Sequence, residues 1–167
     1  VSRHFCGYTP FITDITDNVN YGEENEIAIT LDNSDDPLIP PGKPQDGLDF
    51  SYDGGLYRSV TLTVCEPLYI TDPILANEVA RGGIFVWYTD VSESSAAVHI
   101  RAHIKNEYPE TKSYSAAITL ISPDGQKAAE SKLNSRLSTG CCEYIETELK
   151  VCSPSLWSPE SPLLYTL

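Results

Sequence analysis

Twenty-four acidic side chains in 167 residues make carboxylate chemistry the first to weigh. Acid/base catalysis needs two carboxyls facing each other across a bound substrate, one giving a proton and one taking it or attacking. The doublets Glu23-Glu24 and Asp35-Asp36 place acids side by side instead. Neighbours on an extended chain point to opposite sides, so Asp35 and Asp36, ahead of Pro37, read as solvated loop residues. Glu23 and Glu24 fall in a turn, where charge is routine. Asp49, taken alone, reads as a loop aspartate before a strand. No catalytic residue is assigned.

The other reactive side chains are equally scattered. Cysteines stand at 6, 65, 141, 142 and 152, an odd number without a C-x-x-C pair. Metal sites need convergent ligands at suitable spacing, so the expectation is small apolar fillers in strands. His4, His99 and His103 form no cluster. On a strand, His99 and His103 share a face with Arg101, which suits a solvent-exposed or interdomain surface. Trp87 sits in an apolar run and reads as core.

The elements that must position these residues follow from composition and period. Apolar residues make up 41% of the chain, and twelve prolines and ten glycines punctuate runs rich in Val, Ile, Thr and Tyr. That composition favours short strands over helices. The net charge of −13 divides as −10 over residues 1–72 and −3 over 73–167. Such a surface repels phosphate backbones, so nucleic acid is not an expected partner. No run approaches the ~20 apolar residues of a membrane helix, so no membrane partner is expected. The chain holds no Met, and Val1 reads as a cut inside a longer protein.

Segment 8–15 starts extended, 26–32 turns Ile27, Ile29 and Leu31 to one face, and 56–65 turns Val60, Leu62 and Val64 inward. Residues 33–49, with Pro40-Pro41-Gly42, form a loop of functional length. Glu66-Pro67 breaks segment 56–65 before Leu68-Tyr69-Ile70. After a junction running to Gly82-Gly83, a second set begins: Ile84–Tyr88, then Ala97–Lys105 with Val98, Ile100, Ala102 and Ile104 inward. Tyr114–Ile121 follows, a turn at Ser122-Pro123-Asp124-Gly125, residues 126–133, and Glu143–Cys152 with Ile145, Leu149 and Val151 aligned. The expected fold is all-β, built from sandwich-like units.

Several motifs, in order, resemble glycoside hydrolase family 2. His4-Phe5-Cys6-Gly7-Tyr8-Thr9-Pro10-Phe11 with Asp14-Ile15-Thr16 is similar to the H-x-G-G-Y-T-P-F…D-I-T stretch of its sugar-binding domain, and Gly22–Ile27 and Asp32-Asn33-Ser34 continue it. Asp49-Phe50, then Gly54-Gly55-Leu56-Tyr57-Arg58-Ser59-Val60, resembles D-F…Y-G-G-I-Y-R-D-V. Leu156-Trp157-Ser158-Pro159-Glu160-Ser161-Pro162-Leu163-Leu164-Tyr165 resembles the L-W-S-P-E-x-P-x-L-Y close of the next domain. Cys6 and Ser59 replace the usual Gly and Asp.

The resemblance implies a partial jelly-roll, the C-terminal part of a sugar-binding domain, over residues 1–71. An immunoglobulin-like β-sandwich over 72–167 would follow, its last strand truncated. It further implies a separate (β/α)8 barrel carrying both glutamates of a retaining mechanism. The chain alone would then be inactive, part of an enzyme acting on terminal β-linked sugars, galactose first, with β-glucuronidase or β-mannosidase as alternatives. A stand-alone carbohydrate-binding module is the reading from a different class. Asp49 maps onto a carboxylate that helps position a galactose hydroxyl beside the barrel and in some members ligates sodium. The expected partners are a β-galactoside and the barrel. No cofactor is expected in the chain itself, with sodium or magnesium in the full-length enzyme. Gly54-Gly55 would supply a backbone barred to residues with a Cβ. Arg58 would pair with nearby acids, and Trp157 would be a packing anchor. Open strand edges in the first unit would favour self-association.

Overall fold

A computed structural model describes residues 1–50, 54–79 and 81–167. The chain divides into two compact units, Val1–Val64 and Cys65–Leu167. Among the described residues every strand belongs to the second unit, and the only helical turns are the 3-10 segments Thr16–Asn18 and Gln45–Gly47. The chain is all-β.

The second unit has six strands: β1 (Leu68–Ile70), β2 (Ile84–Thr89), β3 (Ser95–Asn106), β4 (Lys112–Ile121), β5 (Lys127–Leu137) and β6 (Cys142–Cys152). β3 is the spine of the larger sheet. β6 pairs with it from Ser95↔Cys152 to Lys105↔Cys142. The opposite edge is shared, with β2 spanning Ala97 to Ala102 and β1 spanning Ile104 to Asn106, so β1 and β2 lie end to end. All these pairings are antiparallel. β1 lies before the expected 71/72 boundary, yet its ladder to β3 ties it to the second unit.

β4 and β5 form a separate antiparallel hairpin. Its turn is the expected one: Ser122 accepts the Gly125 N–H at 2.9 Å and donates its own N–H to Gln126 at 2.8 Å. Gly125, at φ +82°, occupies the left-handed region that a Cβ disfavours.

The two sheets enclose the core. Val98, Ile100, Leu149 and Val151 from the larger sheet meet Leu120 and the half-buried Ile118, Ala128 and Ala129 of the hairpin. Further along, Ala102, Ile104 and Ile145 meet Leu137, Tyr114, Ala116 and Leu133. The period-two alternation of β3 and β6 thus buries the faces expected of it. Burial of this kind is the main source of stability, worth about 1.5–3 kcal/mol for each large aliphatic side chain.

The first unit departs from expectation. Segments 8–15, 26–32 and 56–65 are irregular backbone. Ile27, Ile29 and Leu31 are exposed, as are Val60, Leu62 and Val64. Alternation decides only which face a strand would bury. A strand also needs a neighbour for its backbone groups and a layer to cover its apolar side, and the described residues of this unit supply neither.

Other expectations also change. Trp87 is half-buried on the outer face of the larger sheet, because its register partner His99 points away from the core. Trp157 is 59% exposed. Of the five cysteines, Cys6 is half-buried and the others are exposed, so none fills a core.

Candidate functional site

The loop that displays Asp49 is organised by short-range polar contacts. Asp36 accepts the Leu38 N–H at 2.8 Å, closing a turn at Pro37. Asp35 accepts the Gln45 N–H at 3.2 Å, and the Gln45 side-chain amide donates to the Asn33 carbonyl at 3.2 Å. The pair Asn33/Asp35 therefore holds the far arm of the loop at Gln45. Gln45–Gly47 then makes a 3-10 turn, and Asp49 follows it, exposed.

Asn33 also bears on the chain beyond Asp49. A Cβ added to Gly54 would lie 2.7 Å from Asn33 Nδ2. Close approach, not an unusual φ, explains this glycine, whereas Gly55 has the left-handed φ of +103°. One residue thus fixes positions on both sides of Asp49. Asn33 itself follows Asp32, which accepts the Ser34 hydroxyl at 2.6 Å and the Ser34 N–H at 2.9 Å. Those bonds, the hydroxyl first, hold the Asp32 carboxyl below the usual range. The stretch Asp32-Asn33-Ser34 was visible as a motif, but the long-range role of Asn33 was not.

Asp49 suits a sugar hydroxyl, since an exposed carboxylate accepts hydrogen bonds from two vicinal hydroxyls. A hard cation takes several oxygen ligands. Among the described residues no group of three His, Cys, Asp or Glu is gathered around a point where a metal ion could sit. Arg58 lies 5.6 Å over the Tyr57 ring and makes no ion pair among the described residues, contrary to the pairing expected of it.

Several other carboxylates have structural duties. Glu146 pairs with Arg101 at 2.5 Å, Glu107 with Lys105 at 2.5 Å, and Glu130 with Lys127 at 2.7 Å. Asp124 closes the β4–β5 turn through Ser122 and Gln126.

On the outer face of the larger sheet, Trp87 stacks on His99 with centroids 5.1 Å apart and planes at 9°, and Arg101 reaches over the same indole at 5.5 Å. Phe85 lies 5.7 Å away. The indole is wrapped by its own neighbours. His103 shares the face of His99 and Arg101, as expected, but is only 4% exposed. Its Nδ1 lies 2.9 Å from the Thr71 hydroxyl, and Tyr144 stacks on its ring. It is a buried clasp rather than a solvent-facing group.

Residues 84–167 match the profile of glycosyl hydrolases family 2. A β-glucuronidase from Formosa agariphila is 30% identical over 99% of this chain and 17% of its own length. A β-galactosidase from Bacteroides ovatus is 26% identical over 96% of the chain, again 17% of the relative. The chain therefore spans about a sixth of these relatives. Among solved structures, Bacteroides uniformis β-glucuronidase 2, covalently bound to cyclophellitol-6-carboxylate aziridine, superposes with a TM-score of 0.70. It is 29% identical, covering 90% of this chain and 17% of that one.

Proposed function

The chain belongs to glycosyl hydrolases family 2, and on that premise we propose that it is the non-catalytic scaffold of a β-glycosidase acting on terminal β-linked sugars. The observation that carries this reading is the family match across β2–β6 together with the glycosidase relatives aligned over nearly the whole chain. The duties of its carboxylates agree: the acids described above close turns or pair with Lys and Arg, and Asp49 stands at the end of a pinned loop. In this reading the first unit carries the sugar-contacting loop, and the second is the sandwich that a separate catalytic domain builds upon. Asp49 binds a substrate hydroxyl and moves no proton.

A terminal β-galactoside is the first substrate reading, supported by the β-galactosidases among the relatives. A β-glucuronide is the second, favoured by the 30%-identical relative from Formosa agariphila. The test uses chromogenic β-galactoside and β-glucuronide with the 167-residue chain and with the longer protein containing it. Hydrolysis by the longer protein only is expected, and the preferred substrate separates the two readings. Turnover by the isolated chain would overturn the proposal.

A further inference from the structure

Among the described residues no hydrogen bond or ion pair holds the Asp49 carboxylate, so its place is set by the backbone that carries it. That backbone is tied down in steps. The Gly47 N–H donates to the Pro44 carbonyl at 2.9 Å and the Leu48 N–H to the Gln45 carbonyl at 3.3 Å, which winds the chain up to the residue before Asp49. Such a turn opens with unpaired N–H groups, which a side-chain oxygen on its capping residue commonly accepts. Pro44 stands at that position and makes no side-chain cap. Asp35 supplies the oxygen instead, from ten residues upstream: the Gln45 N–H is shared between its two carboxyl oxygens, at 3.2 and 3.4 Å. The Gln45 side-chain amide adds the second tie, to the Asn33 carbonyl.

These ties change how far Asp49 can wander. Without them it would end a free arm that starts at Asn33. With them the arm starts at Gln45, four positions before Asp49, and is itself wound. Disorder removed before a substrate arrives is not lost again on binding. Asp35 and Gln45 are both exposed, so water competes for their bonds and the net stabilisation is small. Their effect falls on geometry.

We propose that Asp35 and Gln45 are positioning residues that set the reach of the Asp49 carboxylate toward a substrate hydroxyl. This rests on the reading of Asp49 as the sugar-contacting group and adds what aims it. Neither residue touches the substrate; both act through Asp49. A misplacement of about 1 Å costs up to about 100-fold in rate, and loss of one tie, in a loop that keeps its other turns, should cost about tenfold.

Steady-state kinetics of the longer protein containing this chain test the proposal, on whichever chromogenic glycoside it hydrolyses. Asp35→Ala should lower kcat/KM about tenfold with the melting temperature unchanged. Asp35→Asn keeps an oxygen that accepts the Gln45 N–H and should restore the parent value. In an Asp49→Ala background Asp35→Ala should cost nothing further, which separates positioning from a general effect on the fold. Gln45→Ala keeps the backbone bond and removes only the tie to Asn33. It should show a smaller fall, again silent once Asp49 is gone. Should Asp35→Ala not fold, Gln45→Ala decides alone, and unaltered kinetics there overturn the proposal. With Asp35→Ala folded, the proposal is overturned by unaltered kinetics in that variant, or by an equal fall in both backgrounds. Either result, beside an impaired Asp49→Ala, leaves the reading of Asp49 standing. Unaltered kinetics in Asp49→Ala overturn both.

Discussion

Asn106 donates its side-chain amide to the Leu137 carbonyl at 2.9 Å and to the Glu110 carbonyl at 3.0 Å, with none of its surface exposed. Its Oδ1 accepts the Tyr108 N–H at 3.0 Å, and its own N–H and C=O bond to Cys141 and Gly140. One buried side chain thus joins the end of β3 to the loop before β4 and to the end of β5. Asn106→Ala strands the Leu137 carbonyl inside the protein, at about 1–3 kcal/mol for a buried group left unsatisfied, and removes the part-buried bonds to Glu110 and Tyr108 as well. Urea unfolding should show a loss of about 3 kcal/mol or more, without a change in slope.

Thr71 holds the junction before β2 in a similar way. Its hydroxyl accepts the Gly83 N–H at 3.1 Å and bonds the buried His103 ring at 2.9 Å. Thr71→Val keeps the volume and removes both bonds. The same unfolding measurement should register a loss of about 1–3 kcal/mol, with amide exchange accelerating at Gly83 and His103.

Tyr114 links β4 to β6 by donating to Glu143 at 2.8 Å, and Ser135 donates to the same oxygen at 2.9 Å. Burial first, then the Glu143 carboxylate, pushes the phenol up from 10.0 to about 12. The folded state therefore binds this proton more tightly than the unfolded chain. Its contribution is complete below pH 10.0 and is lost as pH rises through about 12. Melting temperature should fall across that window, and Tyr114→Phe should flatten the fall. An equal decline in the variant would assign the alkaline loss to other groups.

Cys6 adopts φ +100°, a region that favours glycine, at the position where the resembled motif carries glycine. Cys6→Gly should make residues 1–64 more resistant to limited proteolysis. The Tyr8 backbone bond holds the Cys6 thiol below its usual pKa. Alkylation at Cys6 should therefore begin at lower pH than at an ordinary exposed thiol.

Asp49→Ala in the longer protein should raise the Michaelis constant or lower turnover strongly while leaving the melting temperature unchanged, because the side chain is exposed. Asn33→Ala offers a contrast, since it keeps the backbone carbonyl that Gln45 uses and removes only the amide beside Gly54. Its effect on kinetics should be smaller than that of Asp49→Ala. Unaltered kinetics in Asp49→Ala would take this residue out of the site.

Several strands of the second unit were legible in the residues because alternation over ten or so positions fixes both the element and its buried face. Val98, Ile100, Ala102 and Ile104 lie inward as read, and so do Ile145, Leu149 and Val151. The loop at 33–49 and the turn at Ser122–Gly125 were legible through proline, glycine and aspartate, whose backbone preferences are local. Pattern could not choose a face for Ile84–Tyr88, which is apolar at every position. Pairing chose it, when the register set Trp87 against His99 on the outer sheet surface. Nor could alternation guarantee a ladder for Ile27, Ile29 and Leu31, because strand formation depends on a partner that no single segment encodes. Asn106, His103 and Asn33 take their roles from residues far away in sequence or beyond the reach of any local preference. Periodicity and turn chemistry are properties of a segment, so the sequence determined them by itself. Which polar groups are sealed from water depends on contacts between segments, so only the tertiary structure decided that.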